Sequence, residues 1–183
     1  PCITYSGLSK VSLACGYRVG WICLSGEATR LADLTAALDL LAALRLCANV
    51  PAQWAIAPAL AGTDSMRALT APGGRLHEAR RAVAEGVARS EFLDLVVPQG
   101  ALYAFPRVRA EAIADFDDEA FALELLETES VLLVPGTGFN VPGSRHFRLT
   151  LLPEPGQIAE VFVRIERALR RIAARRAPAR HVA

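Results

Sequence analysis

At 183 residues, 52% of them hydrophobic, the chain can bury a real core, as one domain or as a domain plus a piece of another. Twenty Lys plus Arg against nineteen Asp plus Glu leave a net charge of +1, which gives no argument for a nucleic-acid partner. No apolar run approaches the roughly 20 uncharged residues of a membrane span, and no basic-then-apolar signal segment is present.

The four cysteines, Cys2, Cys15, Cys23 and Cys47, form no Cys-x-x-Cys pair and none stands near a histidine at metal-ligand spacing. They read as reduced, buried thiols of a cytoplasmic protein, and no metal is expected. The chain opens on Pro1-Cys2-Ile3-Thr4-Tyr5, without an initiator Met, as a β-strand already under way. That start reads as the C-terminal part of a longer protein.

Ile3 to Ser6 and Val19 to Leu24 are β-branched and aromatic runs that predict two buried strands flanking a loop. From Thr29, Leu31, Leu34, Leu38, Leu41 and Leu44 recur at helical spacing and predict a helix ending near Asn49-Val50-Pro51, because Pro disfavours helix in the residue before it. A second apolar helix, about Pro51 to Leu60, stops near Gly62. Thr70-Ala71-Pro72-Gly73-Gly74 is the clearest boundary.

Beyond it, an Arg-rich helix through Arg89 precedes strands at Leu93 to Val97 and Leu102 to Val108, with a turn at Pro98-Gln99-Gly100. Asp117-Asp118 marks the positive end of a helix that closes near Ser130. Val131 to Val134 predicts a short buried strand, and His146 to Leu151 alternates as another. The last helix runs from about Pro155 to Ala174, its arginines Arg164, Arg167, Arg170 and Arg171 reading as a solvated face. Residues 175–183 read as a disordered basic tail. The order of elements predicts a compact α+β domain from about Pro72 onward.

Lys10 is the only lysine; the other nineteen cations are arginine. An amine can lose its proton and attack a carbonyl to form a Schiff base, which a guanidinium cannot do. Such an amine needs partial burial or a neighbouring cation, and Arg18 lies eight residues on. An ordinary surface cation in an Arg-biased chain is the alternative. Gly7, Ser9, Gly16 and Gly20 let backbone come close, and Arg18 offers a fork of donors suited to a phosphate. Together these describe an amine beside a phosphate site.

Arg148 is the second candidate, set between Phe147 and Leu149 in an alternating strand. A guanidinium there either makes an ordinary ion pair or grips an anion with two parallel hydrogen bonds. His77, His146 and His181 have no partner at ligand spacing and read as solvated or hydrogen-bonded structural residues.

The run Gly7-Leu8-Ser9-Lys10-x-x-Leu13-Ala14-x-Gly16-x-Arg18-Val19-Gly20 resembles the lysine signature of class I and II pyridoxal-phosphate aminotransferases at every restricted position. Pro135-Gly136-Thr137-Gly138-Phe139 followed by Arg148, and Pro98-Gln99-Gly100-Ala101-Leu102-Tyr103, are similar to further segments of that family, with Leu102 in place of the usual aromatic. Arg45 to Gln53 is closest in wording to bacterial glutamate–pyruvate (alanine) aminotransferases.

The resemblance implies an α/β plus α+β fold: the end of the cofactor-binding large domain over residues 1–71, then the small C-terminal α+β domain over residues 72–174. It implies pyridoxal 5'-phosphate as cofactor, with Lys10 holding it as a Schiff base and moving protons, and Ser9 and Arg18 on its phosphate. Arg148 would bind the substrate carboxylate. Amino-acid and 2-oxo-acid substrates, with alanine or glutamate as the amino acid, and a homodimer are the implied partners. The resemblance covers only the C-terminal half of the family's length. The Gly/Ser-rich phosphate loop and the Asn, Asp and Tyr that contact the cofactor ring would lie in the other half, and a relative's Ser at Gly7 is absent. An isolated chain would then be inactive. A truncated folding or dimerisation module, or an aminotransferase-like domain of another pyridoxal-phosphate protein, are the competing readings.

Overall fold

The structure, a computed structural model, describes residues 1–176. It divides into two compact units, Pro1–Ala68 and the chain from Leu69 on.

In the first unit, β1 (Cys2–Gly7) leads into α1 (Leu8–Val11), a short 3₁₀ turn (Cys15–Tyr17) and β2 (Gly20–Ser25). The two strands pair antiparallel in register from Cys2 with Ser25 to Gly7 with Gly20. They are strands, but not buried ones. A two-stranded ladder covers neither of its faces by itself, and Tyr5 and Ile22 stand exposed. Cys2 and Cys23 of this ladder are exposed for the same reason, and Cys15 and Cys47, outside it, are exposed as well, so the four free thiols are not the buried ones expected.

The helix α2 (Ala28–Arg45) follows, then α3 (Val50–Gln53), α4 (Ile56–Ala61) and α5 (Asp64–Thr70). The expected stop at Asn49-Val50-Pro51 comes earlier: α2 ends at Arg45, where Leu46 turns to φ +74°. Pro51 instead sits in the first turn of α3, where its missing N–H has no helical partner to lose. The single apolar helix expected over Pro51 to Leu60 is broken into α3 and α4. The helix α5 has no signal in the sequence, because Met66 and Leu69 are its only large apolar residues and they show no helical stripe.

The second unit is built on α6 (Arg75–Ala88), α7 (Asp118–Glu129) and α8 (Pro155–Arg176). Between them run β3 (Leu93–Asp94), β4 (Tyr103–Ala104), β5 (Arg107–Val108), β6 (Val134–Pro135) and β7 (Phe147–Thr150). β3 pairs with β5, and β7 lies between β4 and β6, all antiparallel. The strands are shorter than the apolar runs that predicted them. Pro106 divides the run from Leu102 to Val108 because it has no N–H to give a ladder.

One core fills this unit, with Phe121, Leu125, Val108, Phe147, Ile165 and Leu169 fully buried. A β-carbon built on Gly86 of α6 would overlap the ring of Phe162 on α8, so the two helices approach as closely as they do only because position 86 is glycine.

The face of α8 opposite the core is not simply solvated. Arg164 donates to the backbone carbonyl of Glu129 at 2.9 Å, while Arg167 and Arg171 donate to its carboxylate at 2.9 and 2.6 Å. Glu129 keeps only 4% of its side chain exposed, so its charge has to be met by cations, and the helical spacing of 164, 167 and 171 supplies them. The expected tail over residues 175–183 begins as helix at Arg175 and Arg176, and from Ala177 it lies outside the described residues.

Candidate functional site

In the first unit, the β1–β2 ladder holds the lysine loop. Its last pair is Gly7 with Gly20. A β-carbon on Gly20 would lie 2.8 Å from the carbonyl oxygen of Ser6, and one on Gly7 would lie 3.0 Å from that of Val19. The two backbones therefore close together only with glycine at both places.

Leu8, 1% exposed, pins the next turn inward, and its carbonyl accepts from Ser12 N–H at 3.2 Å and Ala14 N–H at 3.1 Å. Leu8 N–H donates to Val19 at 3.3 Å, tying the start of the loop to its end. Lys10 stands exposed on the single turn of α1, and Ser9 is half-buried beside it. The partial burial that would favour a neutral amine is thus not provided at Lys10 within this chain.

Arg18 occupies a left-handed conformation at φ +52° just before β2. It spends one N–H on the carbonyl of Cys15 at 2.8 Å, which fixes the guanidinium over the 3₁₀ turn. Asn49 also reaches this loop, donating to Tyr17 at 3.4 Å. Ser9, Lys10 and Arg18 are thus gathered at one end of one ladder: a hydroxyl, a primary amine and a guanidinium. That donor set suits a ligand carrying both a carbonyl carbon and a phosphate.

In the second unit, β7 turns Phe147 and Leu149 into the core, at 0% and 9% exposure, and Arg148 to the opposite face. The guanidinium carbon of Arg148 lies 4.7 Å from the ring centroid of Tyr103 and 4.9 Å from that of Phe139. Its Nε is buried with no hydrogen-bond partner, and no carboxylate pairs with it among the described residues. The ordinary ion pair is therefore not what this arginine makes. A planar cation in contact with two rings, and without a carboxylate partner among the described residues, is arranged to receive an anion.

The loop bearing Phe139 is fixed from α7. Asp118, 3% exposed, accepts from Thr137 N–H at 2.8 Å, Glu119 accepts from the Thr137 hydroxyl at 3.1 Å, and Gly136 N–H donates to His146 at 2.9 Å. Asp117 caps the helix by accepting from Glu119 and Ala120. Read from sequence, Asp118 has only a dipole role, since its partner lies nineteen residues away.

His146 also takes a place that its isolation in sequence concealed. Its ring stacks on Phe105, centroids 4.8 Å apart at 11°. Burial, and then the positive charge of Arg107, hold its pKa below the usual imidazole value, while Asp118 acts the other way. A cavity of about 280 Å³ opens beside Arg148, lined mostly by apolar side chains including Val131, Leu133, Ile158 and Phe162. Arg45 stands exposed at the end of α2. No cluster of His, Cys, Asp or Glu that could hold a metal, and no helix long and apolar enough to cross a membrane, occurs among the described residues.

Residues 1–165 match the family described as aminotransferase class I and II. The alanine aminotransferase of Mycobacterium tuberculosis strain H37Rv is 42% identical over 164 residues, 90% of this chain and 38% of its own length. The glutamate-pyruvate aminotransferase AlaA of Escherichia coli K12 is 43% identical over 156 residues, 85% of this chain and 38% of its own. Among solved structures, an aminotransferase from Escherichia coli superposes with a TM-score of 0.87 at 41% identity, over 92% of this chain and 42% of that one. An alanine aminotransferase from Pyrococcus furiosus gives 0.76 at 31%, over 92% and 42%. The chain thus spans about two fifths of the length of the relatives it matches.

Proposed function

The chain belongs to the aminotransferase class I and II family, and from that premise we propose that it is the lysine-bearing C-terminal portion of a pyridoxal-phosphate-dependent alanine (glutamate–pyruvate) aminotransferase. The complete protein moves an amino group between alanine or glutamate and a 2-oxo acid, as a cytoplasmic homodimer. Residues 1–71 end the large cofactor-binding domain and residues 72–174 form the small domain.

The observation that carries this reading is that the chain's one lysine and Arg18 leave the same glycine-closed end of the β1–β2 ladder. Lys10 is the amine that carries the cofactor at rest. Arg18, held by Cys15, and the hydroxyl of Ser9 take its phosphate. The cofactor, when bound, supplies the electron sink that lets an amino acid's Cα lose its proton. Lys10 Nζ would be the base that takes up that Cα proton. Arg148 grips the substrate carboxylate with two parallel hydrogen bonds, so that the substrate can turn only about the axis that presents its Cα hydrogen.

The isolated chain lacks the rest of the family's length, and we infer that it is inactive by itself. Reductive trapping tests whether the cofactor half-site is preformed in this chain. The chain is mixed with pyridoxal phosphate at neutral pH, reduced with borohydride and digested, and the adduct is located by mass spectrometry at Lys10 or at the Pro1 amine. Saturable capture at Lys10 that is lost in Arg18→Ala is the expected result. Weak capture, or capture equal at both amines, overturns a preformed half-site.

A second reading is favoured by the row Leu40, Leu41 and Leu44 on α2, which is 64%, 61% and 75% exposed. It makes the chain a folding or dimerisation module without chemistry of its own. Sedimentation of the chain with and without Leu41→Asp and Leu44→Asp separates it from the first, since trapping at Lys10 requires no second copy.

A further inference from the structure

Arg148 has no ion pair among the described residues to set its direction, and what sets it instead is a row of rings. The guanidinium lies on Phe139, and Phe139 meets Phe105 edge-on with centroids 5.8 Å apart at 87°. Phe105 in turn lies flat on the imidazole of His146. Phe139 and Phe105 are 40% and 36% exposed, so burial alone does not hold them, and each depends on the ring behind it. His146 is the end of the row. It precedes Arg148 by two residues and so shares its face of the chain, and its Nδ1 is buried without a partner.

We propose that His146 is a positioning residue for the carboxylate grip of Arg148, acting through Phe105 and Phe139, and that it does so only as the neutral imidazole. The inference rests on the reading of Arg148 as the carboxylate-binding residue. Its physical basis is the site around His146. A second ring proton would place an N–H on buried Nδ1, where nothing accepts it. It would also add a cation facing Arg107 of β5 and sharing its face with Arg148 of β7, while Asp118 of α7 acts against them. A charged ring would strengthen its contact with Phe105 as a cation over an aromatic face. At this part-exposed place the unmet Nδ1–H and the nearby arginine charge outweigh that gain, so the ring leaves Phe105 for water. Phe139 then loses its support, and the guanidinium loses one of its two rings. The depressed basicity of His146 fits this account.

Pyruvate serves as the carboxylate probe, titrated into the full 183-residue chain while the Arg148 Nε–H signal is followed by NMR from about pH 5 to pH 8. In the native sequence the affinity falls roughly threefold on acidification, the size of one lost exposed cation–π contact, with the midpoint of the His146 ring signals. His146→Phe keeps the stack, so it retains the affinity and flattens the profile. His146→Ala and Phe105→Leu lose roughly threefold even at the alkaline end, and the Arg148 signal loses its ring-current shift.

An unchanged profile in His146→Phe overturns the proposal. So does an affinity that rises on acidification, as an added cation alone would cause, or a native Arg148 signal in His146→Ala. The signal decides the question in the absence of pyruvate as well. Arg148→Ala tests the underlying reading separately: pyruvate binding that survives it removes Arg148 as the grip, whatever His146 does.

Discussion

Asp118 and Thr137 are joined across nineteen residues by one hydrogen bond, the Thr137 N–H donating to the buried carboxylate at 2.8 Å. Thr137 lies in the 3₁₀ turn Gly136–Phe139, and Phe139 lies under the guanidinium of Arg148. An acidic residue at a helix start therefore fixes the approach of a cation on a strand, and this relationship is open to test.

Asp118→Ala leaves the Thr137 N–H without its acceptor, which for a part-buried donor costs about 1 kcal/mol. The expected result is a fall in urea-unfolding stability of that size, with faster hydrogen exchange at the Thr137 amide. Asp118→Asn, which keeps an oxygen at the same place, should recover most of both. Equal losses in the two variants would mean that the bond contributes little.

Gly86→Ala drives a methyl into the ring of Phe162 where α6 crosses α8. Alanine gains up to about 1 kcal/mol of helix propensity over glycine. Overpacking typically costs about 1–3 kcal/mol, so the net change should be destabilising. Adding Phe162→Leu to Gly86→Ala should recover part of the loss, because the shorter side chain yields the space. A simple gain in stability on Gly86→Ala would show that the helices separate at no cost.

These two tests differ in what the sequence could say about them. The helices around Gly86 were legible because Leu76, Val83 and Val87 keep a 3.6-residue period, as do Ile158, Phe162, Ile165 and Leu169. The lysine loop was legible because its glycines and its single lysine are local. The ring row from His146 to Arg148 was not, since Phe105, Phe139 and His146 are separated by up to forty-one residues and meet only when β7 is flanked by β4 and β6. Arg145 was hidden likewise: it donates to the carbonyls of Val108, Arg109, Ile113 and Ala114, none of which carries a sequence signal. The burial of β1 and β2 was overread because an apolar run states what a strand could cover, not what covers it.

Glu129 sets a pH dependence. Its hydrogen bond to Arg171, with the charges of Arg167, Arg171 and Arg164, lowers its pKa from the ordinary 4.5, against a smaller opposing effect of burial. A carboxylate depressed in the folded state adds stability that is fully present above the unfolded value and lost as pH falls toward the folded one. Stability should therefore hold from neutral pH down to about pH 5 and then drop. Glu129→Gln should be less stable at neutral pH and show a shallower acid decline, read by urea unfolding across that range. An identical decline in the variant would assign the acid sensitivity to other carboxylates.

The end of the β1–β2 ladder gives the most direct test of the lysine site. Gly20→Ala places a β-carbon 2.8 Å from the carbonyl of Ser6, closer than real contacts of that kind come, so the last pair with Gly7 must part. Lys10 and Arg18 keep their chemistry but leave a ladder whose end is open, and the geometry between the amine and the guanidinium proposed to take the phosphate is lost. Reductive trapping of pyridoxal phosphate should then need a roughly tenfold higher cofactor concentration for half-capture at Lys10, as expected when preorganised ligand contacts worth about 1.4 kcal/mol are lost. Gly16→Ala is the control, because nothing lies within 4 Å of a β-carbon there. If both variants capture the cofactor like the native chain, the ladder only carries the lysine and does not shape its site. If Gly20→Ala alone fails, the glycine pair holds the amine and the guanidinium in register.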